Sequence, residues 1–280
     1  MIDMDIFAAL QYAFIRRAFI AGSFIALACS ILGVLLVLRR LSLIGDGLAH
    51  VSFGSVAIGL LLKQQPSFVA IPIVMLSALG ILKLMQKARL YGDAAIGIVS
   101  SIGVAGGVLI ASISGGFNVD LFSFLFGNIL AISCAEVITS IILSIVVLTV
   151  VSLFYNEYFS ITFDEEFARI SGINVRKINS LLVLLTGITV VLTMKVVGIM
   201  LTSALLILPA VTALQIGKSF KNTMILASLT GISSVITGIY TSFMLNLPTG
   251  AIIIMVNFLF FIAAFLARHV MQNRRHGHRK

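Results

Sequence analysis

Of 280 residues, 60% are hydrophobic and only 10% are charged, and the mean hydropathy is +1.16. A soluble domain carries about 25% charged residues, so the composition excludes a soluble globule and defines a polytopic membrane protein. The net charge of +9 does not point to nucleic acid, because most Lys and Arg gather in a few short loops and the tail, as the positive-inside rule requires.

Apolar runs long enough to cross a bilayer as helix recur along the chain. Arg16-Arg17 and Arg39-Arg40 bracket the first, Ala18 to Leu38. The second and third are Ile44 to Leu62 and Phe68 to Leu82. KLMQKARLYGD reads as a loop before a span from Ala94 to Ile113, whose Gly103, Gly107, Ala111 and Gly115 form a small-residue ridge suited to close helix packing. Leu121 to Ala131 is apolar but too short to cross, which predicts a re-entrant segment or broken helix. Further spans are Val137 to Phe154, Ile178 to Val197, Ile199 to Ala213, Thr223 to Leu245 and Ala251 to Ala267. The run from Ile199 is short and carries Pro209, so the expectation is a single all-α domain over 1–280 with eight or nine transmembrane helices. No basic leader or cleavage site precedes the first run, so the first spans are expected to serve as insertion signal.

Loop charge sets the orientation. The tail from about 268 to 280 holds Arg268, Arg274, Arg275, Arg279 and Lys280, which predicts a cytoplasmic C-terminus. Loops with Lys218 and Lys221, with Arg169, Arg176 and Lys177, and with Lys83, Lys87 and Arg89 then lie inside, while SGGFNVD and NLPTG lie outside. Nine spans put the N-terminus outside despite Arg16 and Arg17; eight leave its side open. The tail histidines, His269, His276 and His278, read as part of a solvated basic segment that meets anionic lipid. Cys29 and Cys134 both sit in apolar sequence and read as packing residues.

Two stretches carry residues out of keeping with their surroundings. Asp46 and His50 lie four apart in an apolar run, on one face of a helix. The same stripe continues through Gly54 and Ala57, which reads as room beside a pore. Ionisable residues in a span are costly and face a cavity or the bundle interior. A carboxylate with an imidazole suits a divalent transition metal, and a symmetric dimer with this helix on its axis would double the pair to four ligands. The other reading is a helix cap beside a hydrogen-bonded histidine. In the loop of about 156–177, Thr162 and Glu165 fit a capping box and Gly172 fits a helix stop. Phe163, Phe167 and Ile170 form an apolar stripe between them, suited either to a groove on a partner or to the membrane surface. Gly217-Lys218-Ser219 mimics the end of a phosphate loop, but position 212 is Thr212 and a hydrophobic span precedes it, so no nucleotide site is expected. A proton-coupled carrier would spread ligands over several spans. An intramembrane protease would need a second aspartate beside Asp46, whereas Asp93 and Asp120 fall at span ends on opposite sides.

The succession LRRLSLIGDGLAHVSFGSVAIG, GDAAIGIVSSIG, DLFSFLFGNILA, FDEEFARISGI and VGIMLTSALLILPAVTA resembles the membrane permeases of bacterial zinc and manganese ABC importers. The resemblance covers most of the chain. It implies a fold similar to the vitamin B12-type importers, a permease homodimer, two cytoplasmic ATP-binding subunits and an extracytoplasmic metal-binding protein. No catalytic residue or resident cofactor is implied; the metal is transported substrate. Asp46 and His50 become the metal ligands. Phe163, Asp164, Glu165, Glu166, Phe167, Ala168, Arg169, Ile170, Ser171 and Gly172 become the ATPase-coupling helix. Ser and Gly after His50 resemble the zinc members, whereas manganese members more often carry Ala-Val-Leu-Pro there, so Zn2+ is the expected cargo and Mn2+ the alternative.

Overall fold

A computed structural model describes residues 12–87, 91–114, 127, 132–194 and 197–277, without the side chains of residues 87, 200, 201 and 271–277. The described residues form eleven helices: α1 (Ala13–Leu38), α2 (Ile44–Leu61), α3 (Pro66–Lys87), α4 (Gly92–Ile113), α5 (Cys134–Leu153), α6 (Tyr155–Phe163), α7 (Glu165–Ile170), α8 (Val175–Thr193), α9 (Ile199–Ile216), α10 (Phe220–Leu245) and α11 (Thr249–Gly277). Eight of them are long and apolar enough to cross a membrane; α9, whose apolar part is Thr202–Ile216, falls short of that measure. It nevertheless packs within the bundle against α1, α2, α10 and α11.

Two helices form the nucleus. α1 packs against α5, α9 and α10, and α2 against α3, α4 and α9. They meet at a tight corner. Arg40 takes a left-handed φ of 57°, its amide donates to the Val37 carbonyl, and the Leu41 amide donates to the Leu36 carbonyl at 2.8 Å. This is the hydrogen-bond pattern that closes a helix end with a left-handed residue. Ile44 then bonds back to Leu41, so α2 starts at once. In hydrocarbon a helix must satisfy every backbone group internally, and hydroxyls do likewise: Thr186, Thr189 and Thr193 of α8 each donate to the carbonyl four residues earlier.

The glycine ridge of α4 works as its spacing implies. A Cβ on Gly103 would stand 2.8 Å from Val51 Cα, and one on Gly107 would stand 2.6 Å from the Phe53 ring. Such approach is open only to glycine. Gly54 belongs to the same seam: its Cβ would lie 2.6 Å from the Gly103 carbonyl oxygen, and Ala57 is buried. The stripe below His50 therefore packs on α4 at Gly54.

Several boundaries differ from the sequence reading. Residues 83–87 continue α3 and Gly92 opens α4, because Lys, Leu, Met and Gln favour helix and nothing earlier stops it. α11 runs on through the basic tail to Gly277. Gly115, Arg89 and the expected re-entrant segment Leu121–Ala131, apart from Gly127, lie outside the described residues. Cys29 is buried, 3.6 Å from the Thr193 hydroxyl, but Cys134 is exposed in the first turn of α5 and packs no core.

Candidate functional site

Asp46 stands in the first turn of α2, flanked by glycines that each admit a neighbour. A Cβ on Gly45 would press on Leu206 of α9, and one on Gly47 on Ile96 of α4, each at 2.6 Å. The Gly-Asp-Gly triplet thus holds a carboxylate between two closely packed helices, a signal present in the sequence that periodicity alone does not interpret. One turn on, His50 Nε2 lies 3.6 Å from Asp46 Oδ2, with the two side chains 34% and 47% exposed within the single chain. The Ser203 hydroxyl of α9 comes within hydrogen-bonding reach of the carboxylate. Leu43 occupies the N-cap position with no side-chain cap bond, so capping is not what Asp46 does.

The 3.6 Å separation exceeds an ordinary hydrogen bond. It is close to the roughly 3.4 Å that two donors would show about a tetrahedral ion held at about 2.1 Å from each. Among the described residues no group of three or more His, Cys, Asp or Glu comes together. His269, the described member of the tail histidines, is exposed far along α11. Asp93, the described one of the two other aspartates that a protease reading would call on, lies in the first turn of α4.

The loop stretch folds as two helices where one was expected. Thr162 is not a cap; its hydroxyl donates to the Tyr158 carbonyl inside α6. Asp164 takes the extended N-cap conformation of α7 and accepts from the Phe167 amide at 2.9 Å. Phe163 therefore ends α6, where its ring packs on Phe159 and Phe220. Gly172 stops α7 as its spacing implies, at φ +86°, with Ile173 bonding back to the Ala168 carbonyl. Ala168 is buried, while Phe167 is 62% and Ile170 86% exposed. A six-residue helix thus turns two large apolar side chains outward and keeps its small residue inward.

The inward side is held by charge. Arg39, at the end of α1 with its side chain 7% exposed, sits 3.2 Å from Glu165 Oε2 and donates to Asn179 Oδ1 of α8. Arg169 donates to the other Glu165 oxygen at 3.1 Å. Burial holds the Arg39 pKa below its ordinary value, and the Glu165 carboxylate offsets only part of that. Sequence reasoning missed this knot, which joins residues 126 apart.

A polytopic helical bundle with a polar pair in a buried span and an apolar helix exposed on one loop has the layout of a transport permease. The chain matches the family model for the ABC 3 transport family over residues 11–268, and it belongs to that family. It is 35% identical over 257 residues to the manganese transport system membrane protein MntC of Listeria monocytogenes, covering 92% of this chain and 91% of that one. It is 31% identical over 255 residues to the manganese import system permease protein ScaB of Streptococcus gordonii, covering 91% of each. The solved structure of PsaBC from Streptococcus pneumoniae in complex with Fab superposes with a TM-score of 0.84 at 28% identity, covering 93% of this chain and 94% of that one.

Proposed function

We propose that the chain is the membrane permease of an ABC importer for a divalent metal, working as a homodimer with two cytoplasmic ATP-binding subunits and an extracytoplasmic metal-binding protein, with its C-terminus inside. The observation that carries the reading is the Asp46–His50 pair on α2, open at 3.6 Å in a buried span of a family permease. With two ligands per chain, a second copy completes a four-ligand site.

Manganese is the better-supported cargo. A mixed carboxylate and imidazole set accepts both metals, and intrinsic affinity would favour zinc, so selectivity lies in geometry and delivery. Several relatives that align over about nine-tenths of the chain bear manganese names, those of Listeria monocytogenes and Streptococcus gordonii among them, and this outweighs the Ser-Gly signature after His50 that points to zinc. Exposed Phe167 and Ile170 give the ATP-binding subunit an apolar handle.

The test is uptake of radioactive manganese and zinc by proteoliposomes holding the chain with its ATP-binding and metal-binding partners. ATP-dependent manganese uptake that excess zinc inhibits without being carried is the expected result. Zinc uptake in the absence of manganese uptake would reverse the cargo, and uptake without ATP would overturn the ABC mechanism.

A further inference from the structure

Arg39 is a charged side chain almost wholly buried at the point where three parts of the molecule converge. Its guanidinium reaches Glu165 in the first turn of α7 and Asn179 on α8, and the buried Tyr158 of α6 stands beside it with no hydrogen-bond partner for its hydroxyl among the described residues. A buried cation cannot exchange its partner for water cheaply, and a guanidinium fork fixes direction as well as distance. Glu165 is therefore not free to move without Arg39. Arg39 in turn is not free to move without α2. Four residues separate it from Ile44, and these are held by the Leu41-to-Leu36 and Ile44-to-Leu41 backbone bonds, with Leu41 and Ile44 both buried. Asp46 follows two residues later.

We infer that Arg39 is a positioning residue that couples the docking helix to the metal-ligating helix: a displacement of α7 pulls on Glu165, Glu165 pulls on Arg39, and the rigid corner carries that pull to Asp46 and His50. The inference rests on the roles given above to α7 and α2. It explains why α7 turns Glu165 toward Arg39 at its first residue while Phe167 and Ile170 face out. One side of the helix grips the partner and the other grips the bundle.

The experiment uses the complete transporter in proteoliposomes and reads metal uptake per ATP hydrolysed. Variants are Arg39→Gln, Glu165→Gln and the two together, with co-purification of the ATP-binding subunit measured for each. Each single variant is expected to keep the ATP-binding subunit bound and to lower uptake per ATP about tenfold, the loss of one charged hydrogen bond. The double variant should lose no more than either single one, because both break the same link. A purely structural Arg39 would lower the amount of folded complex and leave the ratio intact. An unchanged ratio in Glu165→Gln, which sits on a half-exposed side chain and threatens folding least, would overturn the proposal, as would losses that multiply in the double variant. Failure of the docking reading looks different: Phe167→Asp would then leave the ATP-binding subunit bound.

Discussion

The start of α2 and the whole of α7 are mirror cases. In α2 two ionisable side chains sit in an apolar, buried helix; in α7 two large apolar side chains sit exposed on a polar loop. Each arrangement costs stability in the isolated chain, since membrane helices disfavour charge and water disfavours exposed aromatic surface. In the function proposed above, the misplaced group is in each case the one that a visitor would meet, an ion at the first and a protein at the second. The difference between them lies in how they are held. Asp46 is fixed by backbone, with glycines on both sides drawing α4 and α9 close; α7 is fixed by side chains, through Arg39 and Glu165.

The largest effect should come from the polar pair. Asp46→Asn preserves shape and removes the anionic ligand, and His50→Ala removes the imidazole. In a homodimer each change strikes the site twice, so metal uptake should fall to background while the protein remains folded and the ATP-binding subunit remains bound. Uptake by Asp46→Asn at normal expression would show that the pair is not the ligand set.

Phe167→Asp should come next. It leaves α7 intact, because position 167 faces out, but it would bury an unpaired charge against the partner at a cost of about 3–5 kcal/mol. Loss of co-purifying ATP-binding subunit is the expected outcome, with the melting temperature of the isolated permease unchanged. A retained complex would assign the exposed stripe to lipid.

Between these two regions the sequence was legible to different depths. Apolar runs such as Ala18 to Leu38 announce spans because only helix satisfies the backbone in hydrocarbon, and Gly103 and Gly107 announce a close seam because no other residue allows one. Gly54 was harder. A stripe on one helix says which residues share a face but not which neighbour packs on it, so Gly54 read as room beside a pore and its close approach to Gly103 of α4 went unseen. Helix α6 escaped because Tyr155 to Phe163 has no clean apolar period; it is held instead by rings packed on Phe220, more than fifty residues away. Arg39 read as a positive-inside charge, which composition supports, and its bond to Glu165 is a tertiary fact. Glu165 itself read as half of a capping box, when Asp164 caps the helix and Glu165 is free to face the bundle.

The glycine seam gives a smaller, graded effect. Gly103→Leu forces α2 and α4 apart where a Cβ already meets Val51 Cα at 2.8 Å. Overpacking of this kind costs about 1–3 kcal/mol. Thermal stability in detergent should fall, and uptake should fall only in step with the folded fraction, since Asp46 and His50 keep their chemistry. A loss of uptake far beyond the loss of folded protein would mean that the seam moves during transport.

The smallest perturbation is no mutation at all. Cys134 is exposed at one end of α5, and α6 and α7 follow at the other end of that 20-residue helix. If the docking helix is cytoplasmic, a helix of about 30 Å (1.5 Å per residue) puts Cys134 on the outer side. A membrane-impermeant maleimide applied to intact cells should therefore label Cys134 of the unmodified protein, and Cys134→Ser should abolish the signal, because Cys29 is buried in α1. Labelling should leave uptake nearly untouched, since Cys134 lies across the membrane from α7. Labelling confined to inside-out vesicles would invert the topology and place Phe167 and Ile170 of α7 where no ATP-binding subunit could reach them.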